Sequence, residues 1–250
     1  MGAGLPLAYG NRVVNGNGRI PGSSRFVFWM ERAKRGIICV DNKRKQVFLM
    51  CGRYYIDDDT AREIDRLVRQ VDEKMRQIHA GDSQLKAKDI HPSDTAPVLV
   101  SDGQDICCRW QRWGFPGFQG KQLIFNARSE SALEKRMFRE SVEQRRIVVP
   151  AALFYEWSRN KEKSIFRQKG QPVLYMAGFY NKYQGEDRFV ILTTDANDSM
   201  RPVHDRMPLV LERDEIRDWL NEDRLVHTFL RKVPALLDRQ TEFEQMSLFT

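Results

Sequence analysis

Residues 147–157 read Ile-Val-Val-Pro-Ala-Ala-Leu-Phe-Tyr-Glu-Trp and predict two short strands, Ile147–Val149 and Leu153–Trp157. β-Branched and aromatic residues favour a pleated, half-buried backbone. The pattern recurs on both sides of this stretch, with helical segments between only some of the strands. Further strands are predicted at 53–56, 97–100, 106–113, 123–126, 164–168, 173–180, 189–194 and 209–211. Many strands with few crossover helices predict an α+β fold with a curved, mostly antiparallel sheet or barrel-like core flanked by helices.

Helical spacing marks four other segments. Thr60 and Glu63 predict a capping box at the start of a helix that continues to Gly81. Ser131 and Glu134 predict a similar start for a second helix. Two short helices are predicted near the end of the chain, at 215–220 and 225–232.

The net charge of +7 is concentrated in one part of the sequence. Residues 1–49 hold nine of the 41 Lys and Arg and two of the 34 Asp and Glu, which leaves 32 of each in residues 50–250. Residues 1–49 also lack a sustained helical or strand period. We therefore expect a disordered leader or a mis-assigned start at 1–49, a folded domain at 50–240 and a tail at 241–250. A polyanion would have to bind a local basic patch on the domain.

The four cysteines do not form a metal-binding or disulfide pattern. There is no Cys-x-x-Cys pair, and the four His are scattered. Cys107 and Cys108 follow a hairpin turn predicted at Asp102-Gly103, so in a strand they point to opposite faces. We predict no metal and no cofactor. A cytoplasmic protein without membrane contact is expected, because no apolar run could span a bilayer and the start does not resemble a signal peptide.

Four polar clusters lie beside the predicted strand ends. By themselves their residues have structural interpretations, because a buried Cys is commonly an inert small hydrophobe. Glu156 alone would be a surface carboxylate, and His204 before Asp205 a structural pair. The clusters are Cys51-Gly52-Arg53, Asn126-Ala127-Arg128-Ser129-Glu130, Phe154-Tyr155-Glu156-Trp157 and His204-Asp205-Arg206-Met207-Pro208. Trp157, the last residue of the third cluster, is predicted to lie in the core, as are Trp110 and Trp113.

Together with Ile191-Leu192-Thr193-Thr194, these motifs resemble the SOS-response-associated peptidase (SRAP) family, the abasic-site processing proteins, over about residues 50–240. The resemblance implies the SRAP fold and action on single-stranded DNA that contains an abasic site. In family members the initiator Met is removed, and the α-amine and thiol of the exposed cysteine close a thiazolidine ring on the open-chain sugar aldehyde. The product is a stable DNA–protein crosslink. The family has also been described as autoproteolytic.

The resemblance assigns a role to each motif. Cys51 would be the nucleophile, and Glu156 the acid–base group. His204 would assist proton transfer and contact the sugar or its 3′ phosphate, and Asn126 would hold the cysteine. The implied DNA contacts are the phosphate-binding Arg53 and Arg128, the aromatic wedge Phe118, and Thr193 and Arg206.

The position of Cys51 is decisive for this chemistry. An α-amine with a pKa near 8 is partly neutral at pH 7 and can attack an aldehyde, whereas an amide nitrogen cannot. Either translation starts at Met50, the chain is cut before Cys51, or this chain does not crosslink.

Two other functions stay open at this point. One is a cysteine autopeptidase that acts on its own leader, with Cys51 as nucleophile, His204 as base and Glu156 as orienting group. The other is a non-covalent single-strand binder that uses Arg53, Arg128 and the aromatic residues. The crosslinking function would also allow lyase activity through the imine.

The end of the chain suggests a protein partner. Gln245-Met246-Ser247-Leu248-Phe249 resembles the short peptide by which bacterial repair proteins bind the sliding clamp. The alternative is that Leu248 and Phe249 pack on the domain's own surface. The predicted partners are therefore abasic single-stranded DNA and the clamp, for a monomer located at the nucleoid.

Overall fold

The computed structural model describes residues 52–69, 87–103, 105–117 and 122–241, together with two short strands near the start, β1 (Cys39–Val40) and β2 (Val47–Phe48), which pair with each other. The other strands are, in chain order, β3 (Tyr54–Ile56), β4 (Lys88–Ile90), β5 (Thr95–Asp102), β6 (Asp105–Trp113), β7 (Phe115–Pro116), β8 (Leu123–Ile124), β9 (Asn126–Arg128), β10 (Arg146–Ala151), β11 (Leu153–Trp157), β12 (Lys163–Gln168), β13 (Leu174–Tyr183), β14 (Glu186–Asp195), β15 (Arg206–Pro208), β16 (Val210–Leu211) and β17 (Leu237–Thr241). The helices are α1 (Asp58–Arg69), α2 (Arg136–Gln144), α3 (Ile216–Asn221) and α4 (Val226–Leu230), with 3-10 turns at Ser129–Ser131, Arg213–Glu215 and Asp223–Leu225.

The larger sheet closes on itself. Strands β14, β6, β5, β10 and β13 pair in succession, and β13 pairs back with β14. The pairing within this ring is antiparallel except between β6 and β14. Strands β9, β15 and β16 extend it at its margins. The predicted α+β fold with a barrel-like core is confirmed.

Strand β10 shows why the run Ile147-Val148-Val149 contains no polar residue. Ile147 and Val149 point into one buried cluster, which also holds Trp113. Val148 points into a second cluster, where Trp219 of α3 lies. Both faces of the strand are covered, so alternation between apolar and polar residues is not required.

The smaller sheet has the order β17-β12-β11-β3-β4. Its inward side chains Tyr54, Phe154 and Phe166 belong to the same buried cluster as Trp113, and the rings of Tyr54 and Trp113 lie 5.2 Å apart. Strand β17 was not predicted from the sequence. It is an edge strand that pairs with β12 over five residues. This second sheet carries the third polar motif on β11, and Gly52 and Arg53 of the first motif directly precede its strand β3.

Both predicted capping boxes are wrong. Helix α1 begins at Asp58, and Asp57 caps it by accepting hydrogen bonds from the backbone N–H and the hydroxyl of Thr60, each at 2.8 Å. Helix α2 begins at Arg136 without a side-chain cap, because Ser131 belongs to a preceding 3-10 turn. Asp57 caps α1 in place of Thr60 because a carboxylate is favoured at a helix N-terminus. The continuation of α1 predicted to Gly81 falls on residues outside the described ranges.

The hairpin and the tryptophans are partly as predicted. Strands β5 and β6 form the predicted hairpin, but Asp102 is the last residue of β5 and pairs with Asp105, so the turn begins after Asp102 and not at it. Trp113 is fully buried, but Trp110 and Trp157 are exposed, and the prediction that they lie in the core is wrong. Trp157 is the last residue of β11 and shares the outer face of its sheet with Tyr155. No helix in the described part of the chain is long and apolar enough to cross a bilayer.

Candidate active site

Strand β3 brings Arg53 of the first polar motif alongside the third motif. It pairs antiparallel with β11, and the N–H of Tyr155 donates to the carbonyl of Arg53 at 3.0 Å. When the register that sets Tyr155 opposite Arg53 is continued by one residue, Glu156 lies opposite Gly52. Cys51 precedes Gly52 and lies outside the described residues.

Glu156 is a buried carboxyl group. The alternation of β11 turns it inward, and only 2% of its surface is exposed. Its Oε1 lies 3.7 Å from Nε2 of His204, and its Oε2 has no hydrogen-bond partner within the described ranges. The interpretation of Glu156 as a surface carboxylate is therefore wrong.

The surroundings of this pair shift both protonation equilibria. Burial, and then the negative charge of Asp205, raises the pKa of Glu156 well above its usual range. Burial lowers the pKa of His204, although the charge of Asp205 opposes this effect. The carboxyl group thus retains its proton more readily and the imidazole releases its proton more readily than they would in water. Such shifts are typical of acid–base catalysts that work near neutral pH.

His204 is held by its own chain segment. Its backbone N–H donates to the carbonyl of Met200 at 3.1 Å, and its Nδ1 accepts the backbone N–H of Arg206 at 3.0 Å. Asp205 Oδ1 lies 3.0 Å from the same Nδ1. When Nδ1 accepts from Arg206, the neutral ring carries its proton on Nε2, which is the nitrogen nearer Glu156.

Asn126, Arg128, Thr193 and Arg206 lie on three neighbouring strands. Strand β9 pairs parallel with β14, so that Arg128 is opposite Thr193, and β15 pairs antiparallel with β14. Asn126 and Thr193 are buried, and Arg128 is exposed. The hydroxyl of Thr193 donates to the carbonyl of Ala127 at 3.4 Å.

Arg206 joins the second motif to the fourth. Its Nη1 and Nη2 each donate to a carboxylate oxygen of Glu130 at 2.8 Å, Nη2 donates to the carbonyl of Thr193 at 2.7 Å, and Nη1 also donates to Asp195. Arg206 is buried and Glu130 is exposed, and this bidentate pair is well suited to fix backbone positions. The arrangement favours a positioning role, and the direct DNA contact of Arg206 stays a prediction.

Arg53 lies on the opposite face of the small sheet from Glu156. Its guanidinium pairs with Asp89 on β4 and lies 4.8 Å above the ring of Tyr155. The ammonium of Lys163 lies 4.7 Å from the same ring. Burial raises the pKa of Asp89, but the hydrogen bonds from Arg53 and Tyr155 and the charge of Arg53 together outweigh burial, and the net shift is downward. The cations and the aromatic ring form a partly exposed patch at the edge of the site.

The structure thus brings the predicted residues together in two groups. Glu156 pairs with His204, while Asn126, Arg128, Thr193 and Arg206 share neighbouring strands. The groups are linked because His204 lies two residues before Arg206. Cys51 and Phe118 fall outside the described ranges, and their roles stay predictions.

Sequence reasoning missed the contribution of Asp205, Asp89 and Lys163. The adjacency of Asp205 to His204 was a usable signal, and it was interpreted only as structural. Asp89 is 36 residues from Arg53 and no local pattern connects them. Lys163 reaches Tyr155 only through the pairing of β12 with β11.

The other described thiols are not arranged for reaction. Cys107 belongs to the first buried cluster and Cys108 packs against the second, which confirms that they point to opposite faces. Burial raises the pKa of Cys107, and it raises the pKa of Cys108 to about 12. Thiols of this kind are weak nucleophiles at neutral pH because the thiolate form is scarce. Within the described ranges, no group of three or more His, Cys, Asp or Glu side chains is arranged to hold a metal ion.

Comparison with known proteins gives a consistent result. The abasic site processing protein YoaM of Bacillus subtilis (strain 168) is 27% identical over 198 residues, which cover 74% of this chain and 85% of that protein. The abasic site processing protein YedK of Escherichia coli (strain K12) is 28% identical over 182 residues, which cover 70% and 81%.

Solved structures share the fold. A protein from Bacteroides thetaiotaomicron superimposes with a TM-score of 0.60 at 22% identity, covering 76% of this chain and 91% of that one. A protein from Bordetella bronchiseptica gives the same TM-score at 23% identity, covering 76% and 99%. A family model described as SOS response associated peptidase (SRAP) matches residues 50–247. The chain belongs to the SRAP family.

Proposed function

We propose that this protein processes abasic sites in single-stranded DNA and does so by forming a covalent crosslink through Cys51. The observation that carries the proposal is the pair of Glu156 and His204. Glu156 lies on β11, and β11 pairs with β3, the strand that begins three residues after Cys51. The peptide bond to Gly52 limits how far Cys51 can lie from that pair. The names of YoaM and YedK support the substrate class.

The reaction condenses an aldehyde with an aminothiol. The α-amine of Cys51 adds to C1′ of the open-chain sugar, one water leaves, and an imine forms. The Cys51 thiol then adds to the imine carbon, its proton passes to the nitrogen, and a five-membered thiazolidine ring closes. Loss of water requires an acid, and Glu156 is suited to this step because burial raises its pKa and so favours the protonated form. The imine also permits β-elimination, so slow strand cleavage is an expected side reaction.

DNA binding in this proposal is local. Arg128 is exposed and Arg53 is partly exposed, so both can contact phosphates beside the lesion. Asn126 holds the cysteine, Phe118 separates the neighbouring bases, and Thr193 and Arg206 complete the predicted contacts. Residues 50–250 carry equal numbers of acidic and basic side chains, so we expect weak binding to intact single strands.

The proposal requires Cys51 to be the first residue of the active protein. The test therefore uses the full chain with a protease recognition sequence inserted directly before Cys51, cut after folding. Cut and uncut protein are incubated with a labelled oligonucleotide in which a uracil glycosylase has created one abasic site. We expect an adduct that survives denaturation with cut protein alone, with the mass of protein plus DNA minus one water.

Two variants separate the required groups. Cys51→Ala keeps the α-amine and loses the thiol, so it should give an adduct only when borohydride traps the imine. Chemical acetylation of the new N-terminus should abolish both products. Binding without any adduct would contradict crosslinking and support a non-covalent binder. Release of the natural leader by the purified, unmodified chain would support an autopeptidase.

We also propose that the tail recruits the protein to the sliding clamp while the domain itself acts as a monomer. Residues Gln245–Phe249 lie outside the described ranges, which end at Thr241 in strand β17. A pull-down with purified clamp should retain the full chain and lose it when Gln245–Phe249 are deleted. Retention of the deleted chain would contradict the proposal. Sedimentation velocity without clamp should give a single species of about 29 kDa.

A further inference from the structure

In the described structure, the buried acid of the site has little contact with water. Glu156 has a side chain that is 2% exposed, whereas the proposed crosslinking chemistry requires it to give up a proton and to take one back. His204 is 11% exposed and Asp205 is 61% exposed. Exposure therefore increases stepwise from the carboxyl group, through the imidazole, to the second carboxylate.

The imidazole of His204 has alternative partners at one nitrogen. The backbone N–H of Arg206 is a hydrogen-bond donor that lies 3.0 Å from Nδ1. Asp205 Oδ1 is an acceptor that lies at the same distance from Nδ1. The donor favours the tautomer with the proton on Nε2, and the acceptor favours a proton on Nδ1. Both proton positions are thus supported by a neighbour, which is the property that a proton relay requires.

From this arrangement we propose that Asp205 is a positioning residue that makes His204 a proton relay between Glu156 and solvent. The inference rests on the proposed role of Glu156 in crosslinking. In the inward direction, a proton from water binds Nδ1 beside Asp205, the Nε2–H bond breaks, and an O–H bond forms on Glu156 Oε1. The outward direction reverses these steps. Nε2 and Oε1 are 3.7 Å apart, so transfer requires them to approach by about 0.5–1 Å.

The charges around the ring are compatible with this role. Asp205 raises the pKa of His204, and Arg206 and Arg159 lower it, while burial lowers it most. Glu156 faces the ring from strand β11. Asp205 also raises the pKa of Glu156. Removing the charge of Asp205 should therefore lower the pKa of both groups.

The first test observes the ring itself in the full chain. Histidine labelled with 15N distinguishes the two ring nitrogens by chemical shift, and His204→Gln assigns the signals. Between pH 6 and 8 we expect both nitrogens of His204 to show intermediate shifts, as in a ring that exchanges tautomers. Asp205→Asn should fix the proton on Nε2 and lower the pKa of His204, and Asp205→Glu should restore the exchange. A parent ring that is already fixed on Nε2 and does not respond to Asp205→Asn overturns the proposal.

The second test measures catalysis with the cut chain. Asp205→Asn should slow single-turnover adduct formation about 10-fold at pH 7 and move the alkaline limb of the pH–rate profile to lower pH. Asp198→Asn is the matched control, because Asp198 is an exposed carboxylate of the same segment that pairs with Arg201. An Asp205→Asn profile that coincides with that of Asp198→Asn overturns the relay. If the parent forms no adduct, the proposed function fails, and the ring measurement still decides whether Asp205 controls His204.

Discussion

Two buried glutamates of this protein have opposite surroundings. Glu63 on α1 accepts hydrogen bonds from Arg213 at 2.7 Å, Tyr175 at 3.2 Å and Arg66 at 3.3 Å. Burial raises the pKa of Glu63, but Arg213 and then the other donors outweigh it, and the net shift is downward. Glu156 on β11 has only His204 within ion-pair distance in the described structure, and its pKa is raised.

The difference separates a structural carboxylate from a reactive one. At Glu63 the ionised form is stabilised, so the group fixes α1 to the turn at Arg213 and has no tendency to exchange protons. At Glu156 the ionised form is destabilised by burial and by Asp205, so the group can release a proton to a reaction at modest cost. Burial alone does not identify a catalytic acid, because the partners decide the direction of the pKa shift.

The largest expected effect is on catalysis. Glu156→Gln keeps the shape of the side chain and removes its proton chemistry, so single-turnover adduct formation by the cut chain should fall about 100-fold. Glu63→Gln is the matched control and should leave the rate unchanged. Equal rates for Glu156→Gln and the parent would exclude Glu156 as the acid.

The second effect is on stability, where Glu63→Gln is expected to be harmful and Glu156→Gln is the control. Glu63→Gln should lower the free energy of unfolding at pH 7 by about 2 kcal/mol, because Arg213 loses its charged partner. This is less than the 3–5 kcal/mol typical of a fully buried pair, since water can reach Arg213 and Arg66. Glu156→Gln should leave the protein as stable as the parent or more stable. Urea titrations measure both, and a comparable loss in both variants would contradict the distinction.

The third effect is the pH dependence of stability, which should have opposite sign at the two positions. Folding raises the pKa of Glu156, so between the unfolded and the folded pKa the native state binds a proton that the unfolded state has lost. The parent therefore loses stability as pH rises above the unfolded pKa of about 4.3. The loss is about 1.4 kcal/mol per pH unit until the folded pKa is reached. The advantage of Glu156→Gln over the parent should therefore grow with pH in that window.

At Glu63 the sign is reversed. The pKa of Glu63 is lowered by folding, so its contribution is complete above the unfolded pKa and is lost as pH falls through the folded pKa. The penalty of Glu63→Gln should shrink below about pH 4.3. Urea titrations from pH 3.5 to 8 test both trends, and parallel curves for parent and variants would contradict them.

Much of the fold could be predicted because its signals are local. Strand β11 was predicted with its observed bounds, Leu153–Trp157, and the barrel strands were predicted to within a few residues. Alternation and turn residues act over a few positions, so they survive in the sequence. Strand β17 was missed because its only large apolar residue is Leu237, and it is held by pairing with β12.

The electrostatics of the site depend on contacts between distant segments. Alternation predicted that Glu156 faces away from Tyr155, but it did not indicate which face of β11 is covered. The burial of Glu156 depends on the barrel and on His204, 48 residues later in the sequence. Glu63 and Arg213 are 150 residues apart in the sequence. Their hydrogen bond distinguishes Glu63 from Glu156, and no local sequence pattern predicts it.

The smallest expected effect isolates one hydrogen bond of the structural glutamate. Tyr175→Phe removes the hydroxyl that donates to Glu63 Oε1 and keeps the ring, so the free energy of unfolding should fall by about 1 kcal/mol at pH 7. In a Glu63→Leu background the hydroxyl has lost this acceptor, and Tyr175→Phe should then be neutral or stabilising. Urea titration of the four proteins gives the coupling free energy between the two positions. A loss of the same size in both backgrounds would mean that the Tyr175 hydroxyl stabilises the protein through contacts other than its hydrogen bond to Glu63, and Glu63 would then be held ionised by its arginines.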